Sequence, residues 1–139
     1  MQKIVIDTNV IISSLIQRSY PYKIIYELFI DDKFVLVVSE ALMSKYYEVI
    51  SRPKFSKFPD FFGKAESLLA DIETKAQKVT PTTKLDLVSD KDDNMIVELA
   101  DACSADFIIT GNTNDFTFSE YKQTKIVSPK TYWENYAPV

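Results

Sequence analysis

Apolar residues along this chain follow two rhythms. In short stretches they run without interruption, as in Ile4-Val5-Ile6, Phe34-Val35-Leu36-Val37-Val38, Phe107-Ile108-Ile109 and Ile126-Val127. Continuous runs of this length suit strands buried on both faces of a parallel sheet. Between them, apolar residues recur every three or four positions, the spacing of one helical face. The pattern predicts strands at 3–6, 34–38, 107–110 and 125–127, with a short strand near Val79. It predicts helices from 8 to about 17, 21 to about 31, 39 to about 51, 59 to about 77, 90 to 103, and a short last one from Ser128-Pro129 through Trp133. Asp7 or Thr8, Ser39, Asp90 and Ser128 stand where N-caps are needed, and Arg52-Pro53 ends the third helix because the residue before a proline is driven out of the helical region. The inward faces would carry Ile24, Ile25, Leu28 and Phe29; Leu42, Met43, Tyr46, Val49 and Ile50; Phe61, Phe62, Leu68, Leu69 and Ile72; and Met95, Ile96, Leu99, Ala100 and Cys103.

Strands alternating with helices imply an α/β fold, a three-layer α/β/α sandwich around a mostly parallel sheet of four or five strands joined by right-handed crossovers. With 139 residues and no repeat or linker, the expectation is one domain. No run approaches the roughly 18 apolar residues of a membrane span. A single cysteine, Cys103, excludes an internal disulfide and suits a cytoplasmic protein; its place beside Leu99 and Ala100 marks it as a core residue.

Composition narrows the chemistry further. Histidine is absent, which removes imidazole bases, histidine-bound zinc and the Ser-His-Asp triad. Two glycines, Gly63 and Gly111, cannot build a glycine-rich phosphate loop. A net charge of −4 and a pI near 4.8 lack the basic signature of a tight nucleic-acid binder. They are compatible with a pocket of carboxylates in which bound cations reverse the local sign.

The placement of the acids is informative. Asp7 follows the first strand, Asn112 and Asp115 follow the 107–110 strand, and Asp90-Lys91-Asp92-Asp93 opens the helix leading into that strand. Ligands of open α/β sheets bind beyond the carboxyl ends of the strands, so Asp7, Asp93 and Asp115 are expected on one rim. Crowded carboxylates repel, and a hard divalent ion such as Mg²⁺ or Mn²⁺ relieves that repulsion through oxygen ligands. Each acid also has a plainer role: Asp7 as a helix cap, Asp90 and Asp93 as a capping pair, Asp115 in an Asx turn. The basic stretch Arg52, Lys54 and Lys57, interleaved with Phe55 and Phe58, reads as a solvated helix-end loop, with a nucleic-acid backbone as the alternative contact.

In order along the chain, Val5-Ile6-Asp7-Thr8-Asn9-Val10, Val38-Ser39-Glu40-Ala41-Leu42, Arg52-Pro53-Lys54-Phe55, Asp93-Asn94-Met95-Ile96-Val97-Glu98-Leu99-Ala100 and Ala105-Asp106-Phe107-Ile108-Ile109-Thr110-Gly111-Asn112 resemble the motifs of PIN-domain nucleases. The likeness is strongest to the branch of toxin components of bacterial toxin–antitoxin pairs. It implies an Mg²⁺- or Mn²⁺-dependent ribonuclease acting on RNA phosphodiesters, cytoplasmic, homodimeric, and masked by a cognate antitoxin. Asp7 corresponds to the family's first acid, supported by Asn9, and Asp93 to the third. The fourth falls on the Asn112-to-Asp115 loop, where Asp115 is the charged candidate, with Thr110 available to hydrogen-bond within the site. At the second acid this sequence departs: the position of the family glutamate holds Lys45. Glu48, one turn along the same face, is the candidate replacement. If it does not replace it, the alternative is a catalytically weakened PIN scaffold that binds RNA or a partner protein. A phospho-acceptor receiver domain is disfavoured, because its paired acids after the first strand are missing.

Overall fold

The computed structural model describes residues 1–138 and arranges them as alternating strands and helices. Lys3–Ile6 is β1, followed by α1 (Thr8–Ile16) and a short α2 (Tyr20–Lys23) that runs into a π-helical segment, Ile24–Phe29. Then come β2 (Val35–Val38), α3 (Glu40–Ile50), a 3₁₀ turn (Pro53–Lys57), α4 (Phe61–Lys75) and β3 (Gln77–Lys78). The second half contains α5 (Lys91–Cys103), β4 (Phe107–Ile109), a 3₁₀ turn (Thr113–Asp115), β5 (Glu120–Tyr121), β6 (Thr124–Val127) and α6 (Pro129–Asn135).

The sheet has six strands in the order β3-β2-β1-β4-β6-β5, parallel except for the β5–β6 hairpin. Two strands are present beyond the four clear apolar runs, β3 and β5, which are only two residues long and carry almost no apolar signal. β1 lies at the centre, and Ile4, Val5 and Ile6 are all fully buried, so both faces of this strand are covered. From β1 the chain steps outward to β2 and β3, then returns through α5 to β4 on the other side of β1. Right-handed crossovers in opposite directions place their helices on opposite faces. Accordingly α5 packs on β1, β2 and β4, while α1, α3 and α4 pack on one another. The gap between the carboxyl ends of β1 and β4 is therefore the topological switch point of the sheet.

The helix ends follow local chemistry. Ser39 Oγ accepts from the Leu42 N–H at 3.0 Å, and Asp90 Oδ1 accepts from the N–H groups of Asp92 and Asp93. These bonds satisfy donors that the first turn leaves free. Arg52 leaves the helical region (φ −66°, ψ 132°), as its following proline requires. The expected helix near 21–31 is α-helical only for its first turn. Its continuation widens to i→i+5 bonding, with Ile30 N–H donating to Ile25 O at 3.0 Å, yet Ile24, Ile25, Leu28 and Phe29 remain buried as the apolar spacing requires. On α4, Phe62 is 42% exposed rather than inward, since the buried stripe runs through Phe61, Ala65, Leu68, Leu69 and Ile72.

Candidate active site

Asp7 sits where β1 ends and α1 begins. Its backbone N–H still belongs to the sheet, donating to Ile109 O at 2.9 Å. Its side chain is held at both oxygens: Oδ1 accepts from the Thr8 N–H at 2.7 Å and Oδ2 from the Thr110 hydroxyl at 2.8 Å. Thr110 is fully buried, and its Oγ also accepts from the Asn112 N–H at 3.1 Å. Two residues into α1, Asn9 Oδ1 accepts from the Gly111 N–H at 3.1 Å. A Cβ on Gly111 would stand 3.3 Å from that oxygen, so glycine there permits the close approach of the loop after β4. The loops after β1 and β4 are thus clasped together by two side-chain bonds, Thr110 to Asp7 and Gly111 to Asn9.

The second source of carboxylates is the first turn of α5. Asp93 is only 8% exposed, and Asp90 fixes its backbone as described above. Next to it, Asn94 clasps the preceding loop: Oδ1 accepts from the Leu87 and Val88 N–H groups, and Nδ2 donates to Val88 O and Asp90 O. A polar residue on a largely apolar helix face was the available sign of this anchoring role, which the motif reading passed over. The third source is the 3₁₀ turn after β4, where the Asp115 N–H donates to Asn112 O at 3.0 Å and both side chains are exposed.

Asp7, Asp93 and Asp115 line one open cavity of about 490 Å³, together with Asp90, Asp92, Asn9 and Asn112. The acids raise one another's affinity for protons. Asp93 is pushed up to about 6, first by burial and then by the charges of Asp7, Asp90, Asp115 and Asp92. Asp7 is also raised, by burial above all and by Asp115 and Asp92, although its bonds from Thr110 and Thr8 oppose the shift. Below Asp7, the fully buried Tyr46 donates its hydroxyl to Ile6 O. Burial and the charge of Asp7 hold that phenol well above its usual range.

Lys45, Arg52 and Lys54 line the same cavity. Lys45, on α3, bridges to Asp92 on α5 at 2.9 Å, and this bond raises the pKa of its ammonium. Glu48, the candidate for the second acidic position, does not line this cavity; its carboxylate receives Arg52 Nη2 at 3.0 and 3.1 Å on the exposed side of α3. An i,i+4 Glu–Arg pair holds the side chain along the helix, while Lys45 stands at the cavity.

The donor chemistry fits a hard divalent ion. It consists of carboxylates and amide oxygens, with neither histidine nor a nearby thiolate to select a softer metal. Among the described residues no three acids are close enough to enclose an ion by themselves. That spacing agrees with an ion bound through one or two carboxylates that keeps several waters, the usual habit of Mg²⁺.

Sheet, switch point and carboxylate rim define a class, and a comparison with protein families agrees: residues 3–114 match the PIN domain. The chain belongs to the PIN-domain family, whose members are characteristically metal-dependent nucleases. It is also similar to an uncharacterized protein, MJ1680, of Methanocaldococcus jannaschii, at 27% identity over 143 residues, covering 96% of this chain and 91% of the relative. Among the described residues, no helix is long and apolar enough to cross a membrane.

Proposed function

We propose that this protein is a ribonuclease that hydrolyses RNA phosphodiesters with Mg²⁺ or Mn²⁺ bound among Asp7, Asp93 and Asp115, through one or two of these carboxylates directly and the remainder by way of retained waters. The observation that carries this reading is the convergence of those three carboxylates, from segments spanning nearly the whole chain, on one cavity at the switch point. A divalent cation at such a site offsets phosphodiester charge and acidifies an attacking water. The protein's own contribution is to position and desolvate the acids. Thr110 and the Thr8 N–H fix Asp7, the α5 cap fixes Asp93, and the turn at Asn112 brings Asp115 to the rim. Asn9 acts at one remove by locking the loop after β4.

The order of the sequence motifs supports a role as the toxin of a toxin–antitoxin pair, with a homodimer and a small antitoxin protein as its assemblies. A second reading, a weakened scaffold that binds RNA or protein without cutting, draws on the Lys45–Asp92 bridge, which ties up an acid with an internal cation. One experiment separates the two. Purified protein is incubated with a structured RNA in EDTA, Mg²⁺ or Mn²⁺; cleavage in either metal and none in EDTA supports the nuclease, whereas binding with no cleavage under any condition supports the scaffold.

A further inference from the structure

The cavity walls carry a charge pattern that bears on how many metal ions it takes. Five aspartates and three cations line it, leaving a formal charge of −2. One divalent ion brings this to zero; a second would leave an excess of +2 before substrate arrives. Lys45 is the cation best placed to matter. It leaves α3 to meet Asp92 in the first turn of α5, so its ammonium lies between these two helices at the cavity. Its side chain is about one-third exposed, open enough for an anion to approach. Arg52 and Lys54 also line the cavity, and both are exposed. Arg52 is shared with the exposed Glu48, and among the described residues Lys54 has no acidic partner within 4 Å.

We propose that Lys45 is a fixed second cation of this site: the cavity binds a single divalent ion, and the Lys45 ammonium, tethered by Asp92, takes the charge of the scissile phosphodiester where a second ion would otherwise stand. Arg52 and Lys54 hold the adjoining phosphate. An ammonium on a helix is a permanent point charge with three donors, so part of the phosphate subsite exists before any metal binds. The proposal rests on the nuclease reading and adds to it a metal count and a metal-independent hold on the substrate backbone.

Two measurements test it, and neither needs turnover. Mn²⁺ binding is titrated by calorimetry, and binding of a labelled single-stranded RNA is measured in EDTA across a salt series. Wild type should take one Mn²⁺ per chain, and Lys45→Glu, which replaces the cation with an acid, should take two. Lys45→Met should bind the metal-free RNA about tenfold more weakly, with the slope of log K against log salt reduced by about 0.7, the value for one lost phosphate contact on a single strand. Lys45→Met with Asp92→Asn separates contact from masking: affinity stays low if Lys45 touches the phosphate and returns if Lys45 only neutralises Asp92. Two Mn²⁺ per wild-type chain, wild-type RNA affinity in Lys45→Met, or recovery in the double variant would each overturn the proposal. A protein that binds neither Mn²⁺ nor RNA would overturn the nuclease reading itself.

Discussion

Thr110 donates its hydroxyl to Asp7 at 2.8 Å, joining residues 103 positions apart at the carboxyl ends of neighbouring strands. This bond determines which way the Asp7 carboxylate faces, and it lowers the pKa that burial raises. Thr110→Val keeps the volume and removes the hydroxyl. It strips Asp7 of that partner and leaves the Asn112 N–H without its acceptor. Hydrogen bonds to charged groups contribute about 1.5–3 kcal/mol, so Mn²⁺ affinity should fall roughly ten- to hundredfold, and the pH at which metal binding is half-developed should move upward. Thr110→Ser should behave close to wild type. Calorimetry across pH on the three proteins checks both the loss and its direction.

Asp93 makes the metal-free protein sensitive to pH. Its pKa is raised from the usual 3.8 to about 6 in the fold, so between those values the folded state holds a proton that the unfolded chain has released. Its contribution to stability is therefore greatest below about pH 4, declines as pH rises toward about 6, and levels off above. A bound divalent ion favours the ionised carboxylate and competes with the proton. Mn²⁺ should accordingly raise the melting temperature more at pH 7 than at pH 5. Asp93→Asn should flatten the pH dependence of the metal-free protein and shrink the Mn²⁺ effect. Thermal melts with and without Mn²⁺ at the two pH values measure all three outcomes.

Tyr46 links α3 to the floor of the site. Tyr46→Phe deletes its hydroxyl and leaves Ile6 O, in the buried core of β1, without that partner. An unsatisfied buried polar group costs about 1–3 kcal/mol, and denaturant unfolding should show a loss of that size. Metal affinity should change much less than in Thr110→Val, because no bond to a site carboxylate is broken.

The parts of the fold that were legible in the sequence are those with strong periodic signals. β1, β2, β4 and β6 follow uninterrupted apolar runs, and α3 and α5 start at Ser39 and Asp90 caps that sequence alone identifies. β5 was not legible, because its hairpin turns at Lys122 with φ 52°, a left-handed conformation usually signalled by glycine or asparagine. β3, expected near Val79, pairs at Gln77–Lys78, two exposed polar residues on the sheet edge with no apolar pattern to mark them. At the site, strand ends and the switch-point rule placed Asp7, Asp93 and Asp115 on one rim. The partner of Lys45 could not be read, since it depends on how α3 and α5 meet across the sheet. The direction of Glu48 could have been: Arg52, four residues on, was the signal.

The carboxylates of the cavity, and not those outside it, should be the ones that metal-dependent hydrolysis requires. The most direct test is the rate of cleavage of one labelled RNA in saturating Mn²⁺ by wild type, Asp7→Asn and Glu48→Gln, each shown to be folded. Asp7→Asn removes a charge from the rim with little change of shape and should slow cleavage at least about tenfold, on the order of 1.4 kcal/mol in barrier. Glu48→Gln alters only the exposed pair with Arg52 and should stay within about twofold of wild type, a few tenths of a kcal/mol. Full activity in Asp7→Asn, or a loss in Glu48→Gln as large as that expected of Asp7→Asn, would place hydrolysis outside this cavity.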